Sequence, residues 1–271
     1  MIASEVVPFA KTGGLADVLG ALPRALARLG HQVTVFLPRY RGAPAGEVVA
    51  EFDVSPGGRT LRARFERHEV APGVRAVLVD CPELYDRDAI YGIGNNDYPD
   101  NAFRFAFLAR ASLELVSRSF DKVDVVHAHD WQAGLAPVYL KRHYANHPVL
   151  GGVPAVLTIH NLAYQGLFPA DVLPTLDLDW NLFGVDALEY WGKISFLKAG
   201  INFSVVVTTV SPTYAKEIQT PEYGSGFDGI LRRRSADLAG ILNGIDVDEW
   251  NPMTDPVLPV PFGPQALSGK R

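Results

Sequence analysis

The feature that most constrains this chain is a recurring unit: a short run of β-branched and aliphatic residues, a polar or glycine-bearing turn, then a segment whose apolar residues recur with helical period. Strands of this kind are buried on both faces only in a parallel sheet covered by helices, so the pattern predicts the α/β class. The cleanest strands are residues 33–37, 75–79, 123–127, 155–159 and 205–210, and Ile241 and Leu242 close one more. Residues 59–70 alternate charged and apolar side chains before Ala71-Pro72-Gly73, which predicts a hairpin extending one sheet edge into the strand at 75–79.

Helices fall between the strands. In residues 15–29 an apolar stripe runs through Leu15, Val18, Leu19, Leu22, Leu26 and Leu29, with Gly30 as the stop and Pro23 as an expected kink. Further helices are expected at 101–119 and 186–199, and Ser211-Pro212 reads as an N-cap followed by proline at the first helical position. From Asn251 onward five prolines, Gly263 and Gly269 replace any helical or strand pattern. The expected division is therefore a folded lobe over 1–250 and a proline-rich linker over 251–271. At the other end only Ile2 and Ala3 precede the polar Ser4, so the first strand is expected to be clipped.

Composition removes several function classes. With 48% hydrophobic and 20% charged residues in 271, a disordered chain is excluded. A formal net charge of −5 supplies no broad cationic field, which argues against a nucleic-acid partner and requires any phosphate to be held by a few local donors. The single cysteine, Cys81, makes no internal disulfide, no apolar run is long enough to span a membrane, and no signal-peptide pattern opens the chain. A cytoplasmic location is the expectation.

In open parallel sheets, ligands bind beyond the carboxyl ends of the strands, and the residues there are unusually polar. Lys11, Gly13 and Gly14 follow the first strand, His129 and Asp130 follow 123–127, His160 and Asn161 follow 155–159, and Asn243-Gly244 comes last. Glycines at 13 and 14 permit close backbone approach at a helix start, and Lys11 adds a charge, a combination suited to an anion. An ordinary glycine turn beside a solvated lysine is the alternative. His127, His129 and Asp130 share a strand end, but no third histidine stands at a ligand spacing, so no metal or other cofactor is expected; Asp130 reads better as a contact to sugar hydroxyls. The loop His160-Asn161-Leu162-Ala163-Tyr164-Gln165-Gly166 offers an imidazole and two amides, which suits a carbohydrate or, alternatively, satisfies its own backbone. Tyr85, Tyr91, Tyr98 and Trp131 are sugar-stacking platforms or core residues.

Taken together, these segments resemble the bacterial glycogen synthases and plant starch synthases. The shared stretches are Ser4-Glu5-Val6, Lys11-Thr12-Gly13-Gly14-Leu15-Ala16-Asp17, Val125-Val126-His127-Ala128-His129-Asp130-Trp131, the His160 to Gly166 loop, Ile194-Ser195-Phe196-Leu197-Lys198-Ala199-Gly200, Val210-Ser211-Pro212-Thr213-Tyr214 and Leu242-Asn243-Gly244-Ile245-Asp246. The resemblance implies a GT-B fold, in which two Rossmann-like lobes flank the active site, and a chain corresponding to the N-terminal lobe. It implies transfer of glucose from ADP-glucose to the non-reducing end of an α-1,4-glucan, with retention. Carried over by position, Lys11, Gly13 and Gly14 face the donor phosphates and Asp17 orders their loop. His160 and Asp130 are the catalytic candidates, with Asn161, Asn243 and Tyr91 around the glucose and acceptor. The family's second lobe supplies an Arg-Lys pair and most of the nucleotide pocket. The expectation is therefore a fragment inactive alone, with a non-catalytic α-glucan-binding module as the second reading and a metal-dependent hydrolase built on His127, His129 and Asp130 as the last.

Overall fold

The computed structural model describes residues 1–94 and 96–270. In chain order the strands are β1 (Val33–Pro38), β2 (Glu47–Val54), β3 (Leu61–Ala71), β4 (Val74–Asp80), β5 (Gly92–Ile93), β6 (Asn96–Asp97), β7 (Val126–His129), β8 (Ala155–Ile159), β9 (Leu167–Pro169), β10 (Glu189–Tyr190), β11 (Lys193–Ser195), β12 (Val206–Thr209) and β13 (Leu238–Gly240). The α-helices are α1 (Gly14–Arg28), α2 (Pro82–Tyr85), α3 (Asn101–Ser119), α4 (Ala136–His143), α5 (Phe196–Phe203), α6 (Pro212–Glu217) and α7 (Asp228–Arg233).

Two four-stranded groups, ordered β13-β12-β8-β7 and β1-β4-β3-β2, meet at Ile2, which forms parallel bridges to Ala128 of β7 and Phe36 of β1. The Ile2 amide donates to His127 O at 2.8 Å, and His129 N donates back to Ile2 O at 3.1 Å. On the other side Ala3 N donates to Phe36 O at 3.0 Å. The first strand is thus a single bridged residue, Ile2, at the centre of the sheet. Only β3 runs against the other strands, so nearly all carboxyl ends lie along one edge.

The alternation of β1 sorts its side chains onto two faces. Val33, Val35 and Leu37 pack with Leu15 and Leu19 of α1, while Phe36 joins the larger core under α3. Leu29, counted in the helical stripe from sequence, lies just past α1 and is exposed, and Pro23 is buried inside an uninterrupted helix. The predicted hairpin is β3 and β4, lengthened by one strand that the sequence did not announce: β2 is an outer edge whose Glu47 and Glu51 pair with Arg67 and Arg62 of β3. With charges and exposed Val48 and Val49, it lacks a clean alternation.

Three expectations need correction. The strand placed at 123–127 is Val126–His129, because its ladder partner β8 begins at Ala155 and leaves Val123 and Val125 outside it. That shift puts His129 inside the strand and Asp130 at its exit. The helix placed at 186–199 is a β10–β11 hairpin followed by α5: Trp191 and Gly192 have φ of 51° and 77°, a left-handed pair that no helix interior accepts. Ser195 then caps α5, its Oγ accepting from Lys198 N at 3.1 Å. The last strand is Leu238–Gly240, and Ile241 and Leu242 lie exposed beyond it.

Residues 251–270 hold turns, a Gly263–Ala266 bridge and a short 3-10 turn. Among the described residues no helix is long and apolar enough to cross a membrane.

The entry to α4 is packed against α5 at Gly134, where an added Cβ would lie 2.1 Å from Phe196 O. Backbone, unlike a flexible side chain, has little room to move aside. Gly134→Ala is expected to lower stability by about 1–3 kcal/mol in urea unfolding, and Gly152→Ala, whose Cβ meets no atom within 4 Å but whose φ is 75°, by about 1 kcal/mol.

Candidate active site

The carboxyl edge carries a cleft of about 760 Å³. It brings together Gly13, Gly14, Tyr91, Asp130, His160, Asn161 and Asn243 from five separate loops. Lys11 and Asp17 do not line it. They pair with each other in solvent, Lys11 Nζ to Asp17 Oδ1 at 2.6 Å, and that hydrogen bond raises the lysine pKa. Of the aromatic candidates Tyr91 and Trp131 reach the cleft, while Tyr85 is core, donating to Arg104 O at 2.8 Å.

Neither glycine of the loop is required by the chain's own packing. Gly13 has an ordinary extended backbone (φ −151°), and a Cβ on either residue would meet nothing within 4 Å. The free space belongs to the cleft. Gly13 is the N-cap of α1 and offers no side-chain acceptor, so first-turn N–H groups of α1 remain open at the positive end of the helix.

The loop is organised by a residue outside the nine expected at the site. Glu5 is 3% exposed, and its carboxylate accepts from Thr12 Oγ1 at 2.7 Å, from Thr12 N, from Gly13 N at 3.3 Å and from the Tyr91 hydroxyl. Ser4 Oγ lies 2.8 Å from the same hydroxyl. Burial, together with Tyr40 and Glu5 nearby, pushes the Tyr91 phenol far above its ordinary value, so it stays a donor. The available signal was an acid three residues after the apolar strand residue Ile2, with no basic residue before Lys11.

A second overlooked residue holds Tyr91 in place. Arg104 is fully buried, with no carboxylate partner among the described residues; its guanidinium donates to Leu84 O (2.8 Å), Ile90 O (2.9 Å) and Asn101 Oδ1 (2.6 Å). Asn101 Nδ2 in turn donates to Tyr91 O at 2.8 Å.

Asp130 occupies a backbone region that favours glycine, with φ 55° and ψ −172°. Its Oδ1 accepts from His160 N at 2.7 Å, with Asn161 N at 3.5 Å, which ties the exits of β7 and β8 together. Burial raises its pKa to about 7, with Glu5 adding to the rise and the two amides opposing it. Strain of this kind costs about 1–3 kcal/mol and persists where the surroundings enforce it.

Three imidazoles stand beside it. His127 Nε2 is 2.6 Å from Thr158 Oγ1, the His127 and His129 rings stack at 4.1 Å, and His129 Nδ1 is 3.0 Å from His160 Nε2. Burial drives all three down: His127 to about 3, His160 to about 4 and His129 well below its ordinary value. They are neutral near pH 7. Among the described residues no three His, Cys, Asp or Glu side chains gather as a metal would require. Asn161 Oδ1 accepts from Ala163 N at 3.0 Å, and its amide nitrogen has no protein partner among the described residues. Of the two readings left open by the sequence, the self-satisfied backbone is the one visible in this contact.

A parallel sheet whose carboxyl edge gathers a glycine loop, neutral imidazoles, a carboxyl and amides is a Rossmann-like lobe, and its family and structural matches put that lobe in the GT-B class. Residues 1–233 match the starch synthase catalytic domain, and the chain belongs to that family. It is 45% identical to the glycogen synthase of Syntrophotalea carbinolica over 274 residues, covering 100% of this chain and 57% of that protein. Against the glycogen synthase of Anaeromyxobacter dehalogenans it is 48% identical over 273 residues, 99% of this chain and 57% of the relative. The catalytic domain of starch synthase IV from Arabidopsis thaliana, bound to ADP and acarbose, superposes with a TM-score of 0.90 at 35% identity, over 99% of this chain and 56% of that one. The chain thus spans a little over half the length of the relatives it matches.

Two outcomes are expected. An acid whose pKa is raised on folding holds its proton longer in the folded state, so Asp130 lowers stability as pH climbs from its ordinary value of 3.8 towards about 7. Asp130→Asn should therefore be more stable than the parent at pH 8 by about 2–4 kcal/mol in calorimetry, with the gap closing towards pH 4. Glu5→Ala should speed amide exchange at Thr12 and Gly13 by roughly ten- to a hundredfold, the worth of a charge-assisted hydrogen bond.

Proposed function

We propose that this chain is the acceptor-side lobe of a glucan synthase that transfers glucose from ADP-glucose to the non-reducing end of an α-1,4-glucan with retention, in the cytoplasm. Residues 1–250 form the lobe, and 251–271 form a linker towards a second lobe. The observation that carries this reading is the convergence, in one cleft, of a glycine loop built for an anion and a hydrogen-bonding cluster built for hydroxyls. That the Arabidopsis neighbour is bound to ADP and acarbose supports the same pairing of ligands.

Breaking a glycosyl–phosphate bond leaves a departing diphosphate and an oxocarbenium-like sugar, so the barrier falls when cations and N–H donors meet the phosphate and oxygens surround the anomeric centre. Gly13 and Gly14 serve the first need through the backbone. Lys11 joins them by exchanging Asp17 for phosphate, while Asp17 keeps the free lysine beside its loop. His160 holds the transferred glucose. Asp130 fixes the His160 loop through two backbone amides and, with Asn161 and Asn243, lines the glucose and acceptor region, with Tyr91 alongside.

Binding separates this reading from its rivals. Adding ADP-glucose to the labelled chain is expected to shift the amide signals of Gly13 and Gly14, and Lys11→Ala to weaken that binding about tenfold, the loss of one charged phosphate contact. Maltotetraose is expected to shift the 160–166 loop, and a radiolabelled assay with ADP-glucose and glycogen to show no transfer by these residues alone. Glucan binding with no response to ADP-glucose would leave a non-catalytic glucan-binding module, and robust transfer would overturn the division of labour between lobes.

A further inference from the structure

We infer that His129 is a positioning residue that locks His160 in its Nδ1–H tautomer, so that the cleft meets a hydrogen-bond donor at that nitrogen. The inference rests on the reading of His160 as a sugar-binding residue only for its functional consequence; the tautomer itself follows from the protein's own hydrogen bonds.

The accounting starts from two neutral rings, each with one N–H and one bare nitrogen. His129 Nδ1 and His160 Nε2 lie 3.0 Å apart, so a single proton sits between them. If it belongs to His160, then His129 must carry its own proton on Nε2. That atom is buried and has no partner among the described residues. A buried, orphaned N–H costs about 1–3 kcal/mol and is rarer in folded proteins than an unsatisfied acceptor. If the proton belongs to His129, Nε2 of that ring is a bare lone pair, His160 Nε2 is the acceptor, and the His160 proton is forced onto Nδ1. The second arrangement is the one the burial pattern selects.

The surroundings leave His129 no freedom to reverse it. Its ring is fully buried in β7, stacked on His127 at 4.1 Å, and Asp130 next to it is tied to the backbone of His160. His127 is itself engaged with Thr158, so it offers His129 Nε2 no hydrogen bond. Nδ1 of His160, by contrast, has no protein partner among the described residues and is not an enclosed orphan, and the residue lines the cleft. A fixed donor there selects a ligand atom with a free lone pair, such as a hydroxyl oxygen of a glucosyl unit, and rejects a group that only donates. The selectivity of His160 is thus set one residue away from the ligand, by a side chain that never touches it.

Long-range proton–nitrogen NMR of the histidine-labelled chain near pH 7 reads the tautomer directly. Expected are a protonated, pyrrole-type Nδ1 and a bare, pyridine-type Nε2 for both His129 and His160. In His129→Asp, observed at a pH high enough to ionise the buried carboxyl, a carboxylate oxygen that can only accept replaces the donor, and the His160 tautomer should invert to Nε2–H; His129→Asn, whose amide can donate, should retain Nδ1–H. A protonated His160 Nε2 in the parent chain would overturn the inference even if neither variant folds, as would a His160 tautomer unchanged in folded His129→Asp at that pH. The parent showing Nδ1–H but no response of that nitrogen to ADP-glucose or maltotetraose would instead overturn the sugar-binding reading while the tautomer stands.

Discussion

The backbone of Ile2 is the constraint on which the arrangement depends. With one residue it closes the gap between two four-stranded groups and fixes both in a common direction. Without that pairing, the glycine loop that follows Ile2 and the loops after β7 and β8 would sit on separate pieces of sheet. Because the bridge uses only main-chain donors and acceptors, and because Ile2 is buried, the registration is enforced by the cost of leaving amide groups unpaired in the core. The convergence of five loops in one cleft is a consequence of strand direction before it is a matter of side-chain chemistry.

Burial then sets the electrical character of the cleft. The imidazoles are held neutral, the Asp130 carboxyl is brought close to half-protonation near pH 7, and Glu5 is surrounded by N–H and O–H donors. The charge that faces solvent, Lys11, is compensated by Asp17. The acidic side chains that line the cleft are Glu5, Asp97 and Asp130, and among the described residues no Lys or Arg lines it. What it offers an anion is oriented dipoles at the start of α1, which need no reorganisation.

Much of this was legible in the sequence because parallel strands announce themselves as apolar runs and because their exits fall at predictable places. The strands at 33–37, 75–79 and 155–159 were found nearly to the residue, and seven of the nine residues assigned to the site line one cleft. The failures have separate physical causes. The start of β7 was placed three residues early because Val123 and Val125 are as apolar as the strand that follows. The β10–β11 hairpin was hidden because residues 186–199 have helical periodicity, and only the left-handed pair at Trp191-Gly192 breaks it. Glu5 and Arg104 were invisible as site residues because their importance lies in which backbone groups they reach across 7 to 20 residues of chain, and no local pattern encodes such a reach.

The outer edges of the sheet have a bearing on how this molecule behaves in a crowd. An open parallel sheet ends in two strands with unpaired amides, and any extended segment of another molecule is a potential extra strand. At one end β13 has only three residues, too few to template an addition; at the other, β2 carries Glu47, Glu51 and Asp53, each held by an arginine of the neighbouring strand. An incoming strand would have to slide past that row of ion pairs and disturb their solvation. Both edges of the sheet thus carry the features that discourage a further strand from adding to them.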